Sequence, residues 1–361
     1  MKTQSKPKVA HFLFHAVLSG SPPNTALKQI FTELGYQVDE YAPDAIEGDG
    51  INSTSYGLIW ALKQAWRPHW KRYEAFSCTS EDPIAVAGLL AFIWRKPLIF
   101  ISDEIKSGSY RGDRPNYYKR LCRWLMRRSA VTVVNDASRI PLQKEYAQLP
   151  AKHTIIVYPG CFVTPPPPAD KTAMRKAWGV KPDHHILCFS GGCNLTAGID
   201  LTIDALDAFN DLHVVTQPLA VDELTRFLMV RTHNSSRIYM QEERLSWNEA
   251  WASAAVADIG VAIYRNQAPQ FQNMGISSNR LCMFLAMGVP VIVNKQPSFD
   301  FLDQYQCGVQ VETQDEFNQA IKTILADLEQ YKANALRCTA EYIDTAGKLQ
   351  VLKQAVAEAL S

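Results

Sequence analysis

The feature that most constrains this chain is the stretch Ile276–Asn294, ISSNRLCMFLAMGVPVIVN, which joins a helix start, an apolar helix and an apolar strand. Ser277 or Ser278 can cap the helix, because a serine hydroxyl accepts a hydrogen bond from a free backbone N–H of the first turn. Apolar residues then recur at helical spacing and form one stripe, at Leu281, Phe284 and Leu285. This pattern predicts a helix packed against a core.

The residues after this helix predict where it ends and which element comes next. Gly288 suits the left-handed position past a helix end, and Pro290 cannot prolong the helix. Val289–Val293 is apolar on both faces, which is typical of a central strand in a parallel sheet. The free N–H groups of the first turn also make Ser277–Arg280 a candidate phosphate site, although an ordinary buried helix gives the same pattern.

Both halves of the chain repeat the alternation of strands and helices. In the first half, Val9–Phe14 is a predicted strand, a helix is expected from about Asn24 to Leu34, and Tyr36–Tyr41 is the next strand. In the second half, the predicted strand Ile186–Ser190 precedes a glycine pair and a helix that begins near Gly198. The last predicted helix runs from Gln330 to Leu360. This order predicts parallel α/β sheets.

Composition sets the size and class of the protein. With 361 residues, of which 47% are hydrophobic and 20% charged, the chain is long enough for two domains of roughly 150 to 200 residues each. It shows no apolar run typical of a signal peptide or a membrane span, and its eight cysteines form no C-x-x-C pair. We therefore expect a cytoplasmic protein with reduced thiols and no zinc site.

The charge is unevenly distributed along the chain. Residues 1–165 contain 21 Lys and Arg against 14 Asp and Glu, whereas residues 166–361 contain 16 against 22. A basic first half suits an anionic acceptor or a membrane surface, although scattered surface charge gives the same count.

Two segments carry much of this basic excess, residues 57–73 and 117–128. The first interleaves tryptophan with cations, a mixture that can lie at the surface of an anionic bilayer. The residues predicted to touch the membrane are Trp60, Lys63, Trp66, Arg67, Trp70 and Lys71, with residues 119–128 adding attraction. The alternative is a helix that faces the core and keeps its basic side in water.

The stretch 276–294 resembles the donor-site segment of glycosyltransferase family 4, which typically reads S-P-N-K-L-x-E-x-x-A-x-G-x-P-V. The aligned positions are Ser277, Ser278, Asn279, Arg280, Leu281, Met283, Ala286, Gly288, Pro290 and Val291. Further matches are Lys96-Pro97 before a strand, the turn Tyr158-Pro159-Gly160, Gly191–Leu206 and Ala257–Arg265. The resemblance implies the GT-B architecture, an α/β fold with two Rossmann-like domains that face a central cleft.

The resemblance and the proline-rich connector Thr164–Ala169 together predict the domain limits. Residues 1–165 are expected to form an N-terminal Rossmann-like acceptor domain, completed by the C-terminal helix 346–361. Residues 166–345 are expected to form the Rossmann-like domain that binds the nucleotide-sugar donor.

The implied activity is that of a hexosyltransferase-like enzyme. It would move a sugar from a nucleotide-linked donor, such as a UDP- or GDP-sugar, to a glycan or lipid-linked acceptor without a metal or cofactor. Such enzymes make cell-surface polysaccharides and glycoconjugates, which favours a location at the inner face of the membrane and no nucleic-acid partner.

The resemblance also implies site residues. The donor-binding set is Gly191, Gly192, Asn194, Arg244, Tyr264, Arg265, Ser277, Ser278, Asn279 and Arg280. The loop after the first strand contributes Ser19 and Gly20 near the acceptor, and His15, Asp103 and Glu104 are the catalytic candidates. A carboxylate at the end of a strand can serve as a general base or bind sugar hydroxyls, or it can cap a helix. Gly20 can likewise serve only to make a turn.

The chain departs from the family pattern at four donor-site positions. Met283 and Gly275 stand where the family has glutamates, and Gly192 and Ala197 stand where it has the Arg and Lys that hold the pyrophosphate. Each hydrogen bond to a charged group contributes roughly 1.5 to 3 kcal/mol, so four uncompensated losses would abolish donor binding. Arg280 and Arg265 can compensate, although Arg280 can instead lie along the surface or pair with an acidic residue. Two other functions stay open: a degenerate GT-B adaptor or regulator of an active transferase, and a nucleotide-sugar epimerase.

Overall fold

The computed structural model describes residues 6–46, 48–105, 116–221, 226, 230, 234–241, 243 and 245–361. The chain divides into two compact units. The first unit contains Met1–Val163, Ala268–Gln270 and Thr345–Ser361, and the second contains Thr164–Gln267 and Phe271–Asp344.

The first unit is built on a seven-stranded sheet in which every pair of neighbours is parallel. Its strands are β1 (Lys8–Phe12), β2 (Gln37–Ala42), β3 (Asn52–Ser53), β4 (Tyr73–Thr79), β5 (Leu98–Ser102), β6 (Val131–Val134) and β7 (Ile155–Val157). Their order across the sheet is β3-β2-β1-β4-β5-β6-β7. The predicted first strand is two residues too long at its end, because the chain turns after Phe12 into a short 3-10 helix at Ala16–Gly20.

Helices cover both faces of this sheet. The helices before the connector are α1 (Pro22–Glu33), α2 (Leu58–Ala65), α3 (Glu81–Trp94), α4 (Asn116–Met126) and α5 (Arg139–Ala147). Helix α1 starts two residues earlier than predicted, since prolines are well placed in a first turn, where no N–H partner is needed. Helix α3 is apolar nearly all round because it is buried among β4, α2 and α4.

The segment 57–73 is not one basic amphipathic helix. Helix α2 ends at Ala65, and Pro68 starts a separate 3-10 turn, Pro68–Arg72. Trp70, predicted to touch a membrane, is only 2% exposed and packs its ring 5.8 Å from Phe12 and 5.3 Å from Tyr41. Trp60 is also partly buried against this core. The assignment of Trp70 to a membrane surface is therefore wrong, because the turn at Pro68 rotates its ring into the protein.

The second unit contains a six-stranded sheet, again with only parallel pairs. Its strands are β8 (His185–Cys193), β9 (Leu212–Val221), β10 (Ile238–Met240), β11 (Ile259–Ala262), β12 (Val291–Asn294) and β13 (Gly308–Val311), in the order β10-β9-β8-β11-β12-β13. Its helices are α6 (Lys171–Ala177), α7 (Ile199–Ala208), α8 (Trp247–Ala254), α9 (Asn279–Ala286), α10 (Phe301–Tyr305), α11 (Gln314–Ala326) and α12 (Leu328–Cys338).

Two elements of the second unit differ from their predicted limits. Strand β8 continues through the glycine pair to Cys193, and its pairing with β9 shifts register between Gly191 and Gly192. The long helix predicted from Gln330 to the C-terminal end is interrupted, because α12 ends at Cys338 and a π-helical turn follows at Thr339–Ile343. Asp344, with φ +42°, then starts helix α13 (Thr345–Leu360), which packs on the core of the first unit.

Helix α9 approaches strand β11 closely because Gly260 has no side chain. A Cβ at Gly260 would lie 2.3 Å from the ring of Phe284, a distance that no packed side chain tolerates. The helix ends as the sequence predicts, with Gly288 at φ +70°. This packing fixes the start of α9 beside the carboxyl ends of the neighbouring strands.

Within the described part of the chain, no helix combines the length and the apolar character needed to cross a bilayer.

Candidate functional site

The main candidate site lies at the carboxyl edge of the second sheet. Strands β8, β11 and β12 are neighbours and parallel, so the residues that follow them meet at one edge. This is the edge at which open α/β sheets bind ligands. The predicted donor-binding residues that the structure describes lie near the end of β8, just after β8 or β11, or at the start of α9.

The start of α9 is held by hydroxyl groups. Ser278, the N-cap, accepts a hydrogen bond from the N–H of Leu281 at 3.0 Å, whereas Ser277 donates to the carbonyl of Met274. The hydroxyl of Tyr264 is hydrogen-bonded to that of Ser278, and the N–H of Tyr264 donates to Asn294 Oδ1 at 2.7 Å. Tyr264 is thus fixed between the ends of β11 and β12 and the first turn of the helix.

Arg280 extends from this first turn towards the end of β8. Its guanidinium lies over two aromatic rings, with Cζ 4.8 Å from the centre of Phe189 and 5.6 Å from that of Tyr264. Nη2 donates to the carbonyl of Gly192 at 3.3 Å. Burial raises the pKa of the neighbouring Cys188 thiol to about 12, although the positive charge of Arg280 acts in the opposite direction.

Two guanidinium nitrogens of Arg280, Nε and Nη1, are buried and have no hydrogen-bond partner within the described ranges. The ion pairs found among the described residues do not include Arg280. Asn279, at the same helix start, likewise has a buried Oδ1 without a partner in the part of the chain that the structure describes. A buried cation without an anion is costly, so this arrangement is suited to an anionic ligand.

Gly191 makes room for this arginine. Its φ of +89° lies in the left-handed region, and a Cβ there would lie 3.0 Å from Arg280 Nη2. With Gly192, it forms a strand end without side chains, next to a guanidinium. Both glycines were predicted from the sequence, but Phe189 was not, because its place in an apolar strand is indistinguishable from that of a core residue.

The other two predicted donor residues near β8 already have partners. Asn194 Oδ1 accepts from the N–H of Ala197 at 3.0 Å and so caps a short turn, Leu195–Ala197. Arg265 Nη1 lies 2.6 Å from Asp200 Oδ2. Arg265 is therefore neutralised by a carboxylate, unlike Arg280. Arg244, the remaining predicted donor residue, lies outside the described residues.

A second polar cluster lies at the carboxyl edge of the first sheet. Asp103 follows β5 and is half-buried, and Asn135, which follows β6, donates its Nδ2 to Asp103 Oδ1 at 3.1 Å. Arg139 donates to the backbone carbonyl of Asp103 at 2.7 Å. Burial raises the pKa of Asp103 from 3.8 to about 6, and the charge of Glu104 adds to this, whereas Asn135 and Arg139 oppose it. Glu104 itself is exposed.

Asn135 and Arg139 were not among the predicted site residues. Asn135 is 4% exposed, and its Oδ1 has no hydrogen-bond partner among the described residues. The signal that could have found it is its position, directly after an apolar strand. A helix capped by Asp103 would begin at Glu104, and neither Glu104 nor Ile105 is helical, so Asp103 does not serve as the N-cap of a helix.

The predicted acceptor loop is held by hydrogen bonds to charged side chains. His15 Nδ1 lies 3.1 Å from Asp44 Oδ2 at an exposed position. Ser19 donates to Glu40 at 2.8 Å and accepts from Lys28 at 2.7 Å. Gly20 is the last residue of the short 3-10 helix. These contacts order the loop without showing a catalytic arrangement of His15.

One polar network was not predicted from the sequence. His11, on β1, is completely buried, with Nδ1 2.7 Å from Ser77 Oγ and Nε2 2.9 Å from Asn24 Oδ1. Burial lowers the pKa of His11 to about 4, so the ring is neutral at neutral pH. The network joins β1, β4 and the first turn of α1 and therefore stabilises the loop before that helix.

The two parallel sheets with their flanking helices define the GT-B fold, which confirms the predicted fold class. No protein-family model and no curated protein matches the chain. Among solved structures, it is similar to HepE from Anabaena in complex with UDP and glucose, with 15% identity and a TM-score of 0.72 over 97% of this chain and 99% of that one.

Two further structures show the breadth of this fold. Sucrose-phosphate synthase from Thermosynechococcus elongatus is 13% identical, with a TM-score of 0.71 over 98% of this chain and 99% of that one. A protein assigned as a UDP-N-acetylglucosamine 2-epimerase from Listeria monocytogenes is 12% identical, with a TM-score of 0.62 over 96% and 95%. At these identities the likeness shows the fold alone.

Proposed function

We propose that the chain is a glycosyltransferase that binds a nucleotide sugar at the carboxyl edge of its second sheet and transfers the sugar without a metal. The acceptor is a glycan or a lipid-linked glycan, as in the synthesis of cell-surface polysaccharides or glycoconjugates. The observation that carries the proposal is the partly buried guanidinium of Arg280, which has two nitrogens without partners in the described ranges and lies next to Gly191 and Gly192.

The chemistry of the leaving group explains why this guanidinium matters. When the bond from the sugar to the diphosphate breaks, negative charge develops on the phosphate oxygens and needs fixed positive partners. Nε and Nη1 of Arg280 lie on different edges of the planar guanidinium, so each can donate to a separate phosphate oxygen. The glycines leave the backbone of β8 accessible to the phosphates, as the phosphate loops of other α/β folds do.

The N-terminus of α9 adds to this positive potential. Ser278 satisfies the N–H of Leu281, and the helix macrodipole places further partial positive charge at the first turn. Arg280 and this helix end together replace the two missing family cations at Gly192 and Ala197. Arg265, which is paired with Asp200, contributes less to the diphosphate site.

Asp103 is the proposed catalytic carboxylate. A carboxyl group with a pKa near 6 is largely ionised at neutral pH and is still basic enough to take a proton from an acceptor hydroxyl. Asn135 holds one of its oxygens, and the buried Oδ1 of Asn135 is suited to accept a hydrogen bond from a sugar hydroxyl. Glu104, which is exposed, has no comparable environment.

The epimerase remains a second candidate because one structure of the same fold is assigned to that class, although its TM-score is lower than that of HepE. An adaptor remains the third, because Met283 and Gly275 replace two donor-binding glutamates of the resembling family. The three functions differ in what they bind and in what they release, and these differences are measurable.

A thermal-shift panel of UDP, GDP and ADP separates the adaptor from the two enzymes, with UDP as the first probe because HepE was solved with it. At a concentration a hundred times its Kd, a ligand adds about 2.7 kcal/mol to stability. For a domain of this size, that is a rise of about 5 to 10 °C in the melting temperature. We expect one nucleoside diphosphate to give this rise. A flat panel would contradict the proposal and favour the adaptor.

Incubation with the matching nucleotide sugar then separates transferase from epimerase. A transferase given water as a poor acceptor slowly releases the nucleoside diphosphate and a free sugar, whereas an epimerase changes the sugar and keeps the nucleotide bond. Proton NMR of the anomeric region detects either product. The transferase assignment would be overturned if an epimeric nucleotide sugar appeared and no nucleoside diphosphate was released.

A further inference from the structure

We propose that the outer face of helix α2, rather than the tryptophans buried beside it, docks the first unit on an anionic phospholipid bilayer. The docking face is defined by Ile59, Leu62 and Trp66. It is independent of the proposed transfer reaction, because neither a nucleotide nor any residue of the candidate donor site takes part.

The apolar stripe on α2 is unusually exposed. Ile59 is 73% exposed, Leu62 48% and Trp66 74%. Their spacing of three and four residues places them on one side of the helix, while Ala61 and Ala65 are buried on the other side. The helix therefore packs on the protein through Ala61, Ala65 and the partly buried Trp60, and it presents Ile59, Leu62 and Trp66 to solvent.

Further exposed apolar side chains lie on the neighbouring helices. The indole N–H of Trp94, at the end of α3, donates to the carbonyl of Ala65 at 3.0 Å, so the ends of α2 and α3 are adjacent. Phe92, near that end of α3, is 53% exposed and meets the ring of Trp124 on α4 edge-on at 4.9 Å. Arg128 covers Trp124, with Cζ 3.6 Å from the ring centre.

The charged side chains of the segment that contains the stripe are all positive. Residues 50–73 contain no Asp or Glu, and Lys63, Arg67 and Lys71 are exposed there. Two further arginines are exposed nearby: Arg95 directly follows α3, and Arg128 lies two residues after α4. Apolar side chains flanked by cations match a bilayer surface, where the apolar groups enter the headgroup region and the cations meet anionic lipids.

A bilayer fits this face better than a second copy of the chain does. A stable protein interface uses about 20 to 30 residues on each side, far more than a helix of two turns presents. A second copy would also bring the same exposed cations together, and like charges repel. A bilayer requires no complementary shape.

Co-sedimentation with vesicles tests the docking face. Wild-type protein should pellet at low salt with vesicles of phosphatidylglycerol and phosphatidylcholine, and not with phosphatidylcholine alone. Each cation near an anionic membrane surface raises the partition coefficient into the membrane about fivefold. This attraction acts only within a Debye length of about 10 Å, which salt shortens, so high salt should remove most of the binding. A salt-resistant remainder should come from the apolar stripe.

Two matched pairs of variants separate the apolar and electrostatic contributions. A triple serine variant should abolish the salt-resistant part of vesicle binding and lower binding at low salt about tenfold. It combines Ile59→Ser, Leu62→Ser and Trp66→Ser. Leu336→Ser with Val351→Ser, which change exposed apolar residues elsewhere, should not. A triple glutamine variant should remove the salt-sensitive part of vesicle binding; it combines Lys63→Gln, Arg67→Gln and Lys71→Gln. Its control removes three exposed lysines elsewhere and should retain most of that part; it combines Lys144→Gln, Lys152→Gln and Lys176→Gln.

The proposal would be overturned if the wild type did not pellet with anionic vesicles. It would also be overturned if the triple serine variant bound these vesicles as tightly as the wild type does. A wild-type dimer in light scattering that the serine variant disperses would identify the face as a contact between copies instead. Circular dichroism checks that each variant is folded. The nucleotide-induced rise in melting temperature should be the same in every variant, so a failed docking face is distinguishable from a failed donor site.

Discussion

Replacing Arg280 by alanine is expected to weaken the binding of a nucleoside diphosphate such as UDP by about a hundredfold. The guanidinium has two buried nitrogens without partners in the described residues, and each hydrogen bond from them to a phosphate would contribute roughly 1.5 to 3 kcal/mol. Loss of two such bonds exceeds the 2.7 kcal/mol or so that corresponds to a hundredfold change. Isothermal titration calorimetry measures this loss directly.

Two variants control for charge and for fold. Arg265→Ala removes a cation that is already paired with Asp200, and we expect it to change the affinity less than about threefold. Arg280→Lys keeps the charge but loses the planar fork, so it should lose about tenfold. Arg280→Ala should unfold at the same temperature as the wild type or higher without ligand, because it removes an unpaired buried charge. Wild-type affinity in Arg280→Ala would discard this residue as the phosphate ligand.

Replacing Asp103 by asparagine is expected to lower turnover by about 10² to 10⁴, the range typical of a lost general base. Asparagine keeps the shape of the side chain and can still accept the hydrogen bond from Asn135. Glu104→Gln is the matched control, because it removes a neighbouring charge from an exposed position, and its turnover should change little. Steady-state kinetics with a nucleotide sugar and an acceptor measures both.

The pH dependence distinguishes a base from a group that only binds hydroxyls. Turnover by the wild type should rise with pH as Asp103 loses its proton, with a midpoint near pH 6, and Asp103→Asn should lack that rise. A group that only binds sugar hydroxyls would instead change KM more than kcat. Turnover of Asp103→Asn at the wild-type rate would mean that the carboxylate has only a structural role.

Stability provides an independent check on the environment of Asp103. Its pKa in the folded protein is raised above the ordinary value of 3.8, so the folded state binds the proton more tightly than the unfolded state does. The resulting stabilisation is fully present below pH 3.8 and is lost as the pH rises through 6. At pH 8, Asp103→Asn should therefore melt at the same temperature as the wild type or higher.

The sequence predicted the elements that depend on local pattern. A buried strand such as β12, which is apolar on both faces, and Gly288 after an apolar helix are signals contained in a few consecutive residues. Parallel α/β organisation follows from their alternation, because each apolar strand must be covered by helices. The fold class was therefore predictable before any contact was known.

The sequence could not decide which side chains face solvent where the chain changes direction. Trp66 and Trp70 are four residues apart in a basic segment, yet one is 74% exposed and the other 2%. Periodicity places both on one helical face, but the helix ends at Ala65 and the turn at Pro68 starts a new direction. The burial of Trp70 depends on Phe12 and Tyr41, which are distant in sequence.

The candidate donor site shows the same limit. Its residue types followed from the family resemblance, but the difference between Arg280 and Arg265 depends on long-range contacts. Arg265 meets Asp200, 65 positions away, and Arg280 meets Gly192, 88 positions away. These contacts come from the order of strands in the sheet, which the sequence alone does not specify.

The most direct test of the proposed donor site is a crystal structure of the protein soaked with UDP. We predict that the diphosphate lies at the carboxyl edge of the second sheet, with Nε or Nη1 of Arg280 within hydrogen-bonding distance of one of its oxygens and with Gly191 and Gly192 beside it. UDP bound elsewhere, or bound at this edge with Arg280 still unpaired, would contradict the proposed site.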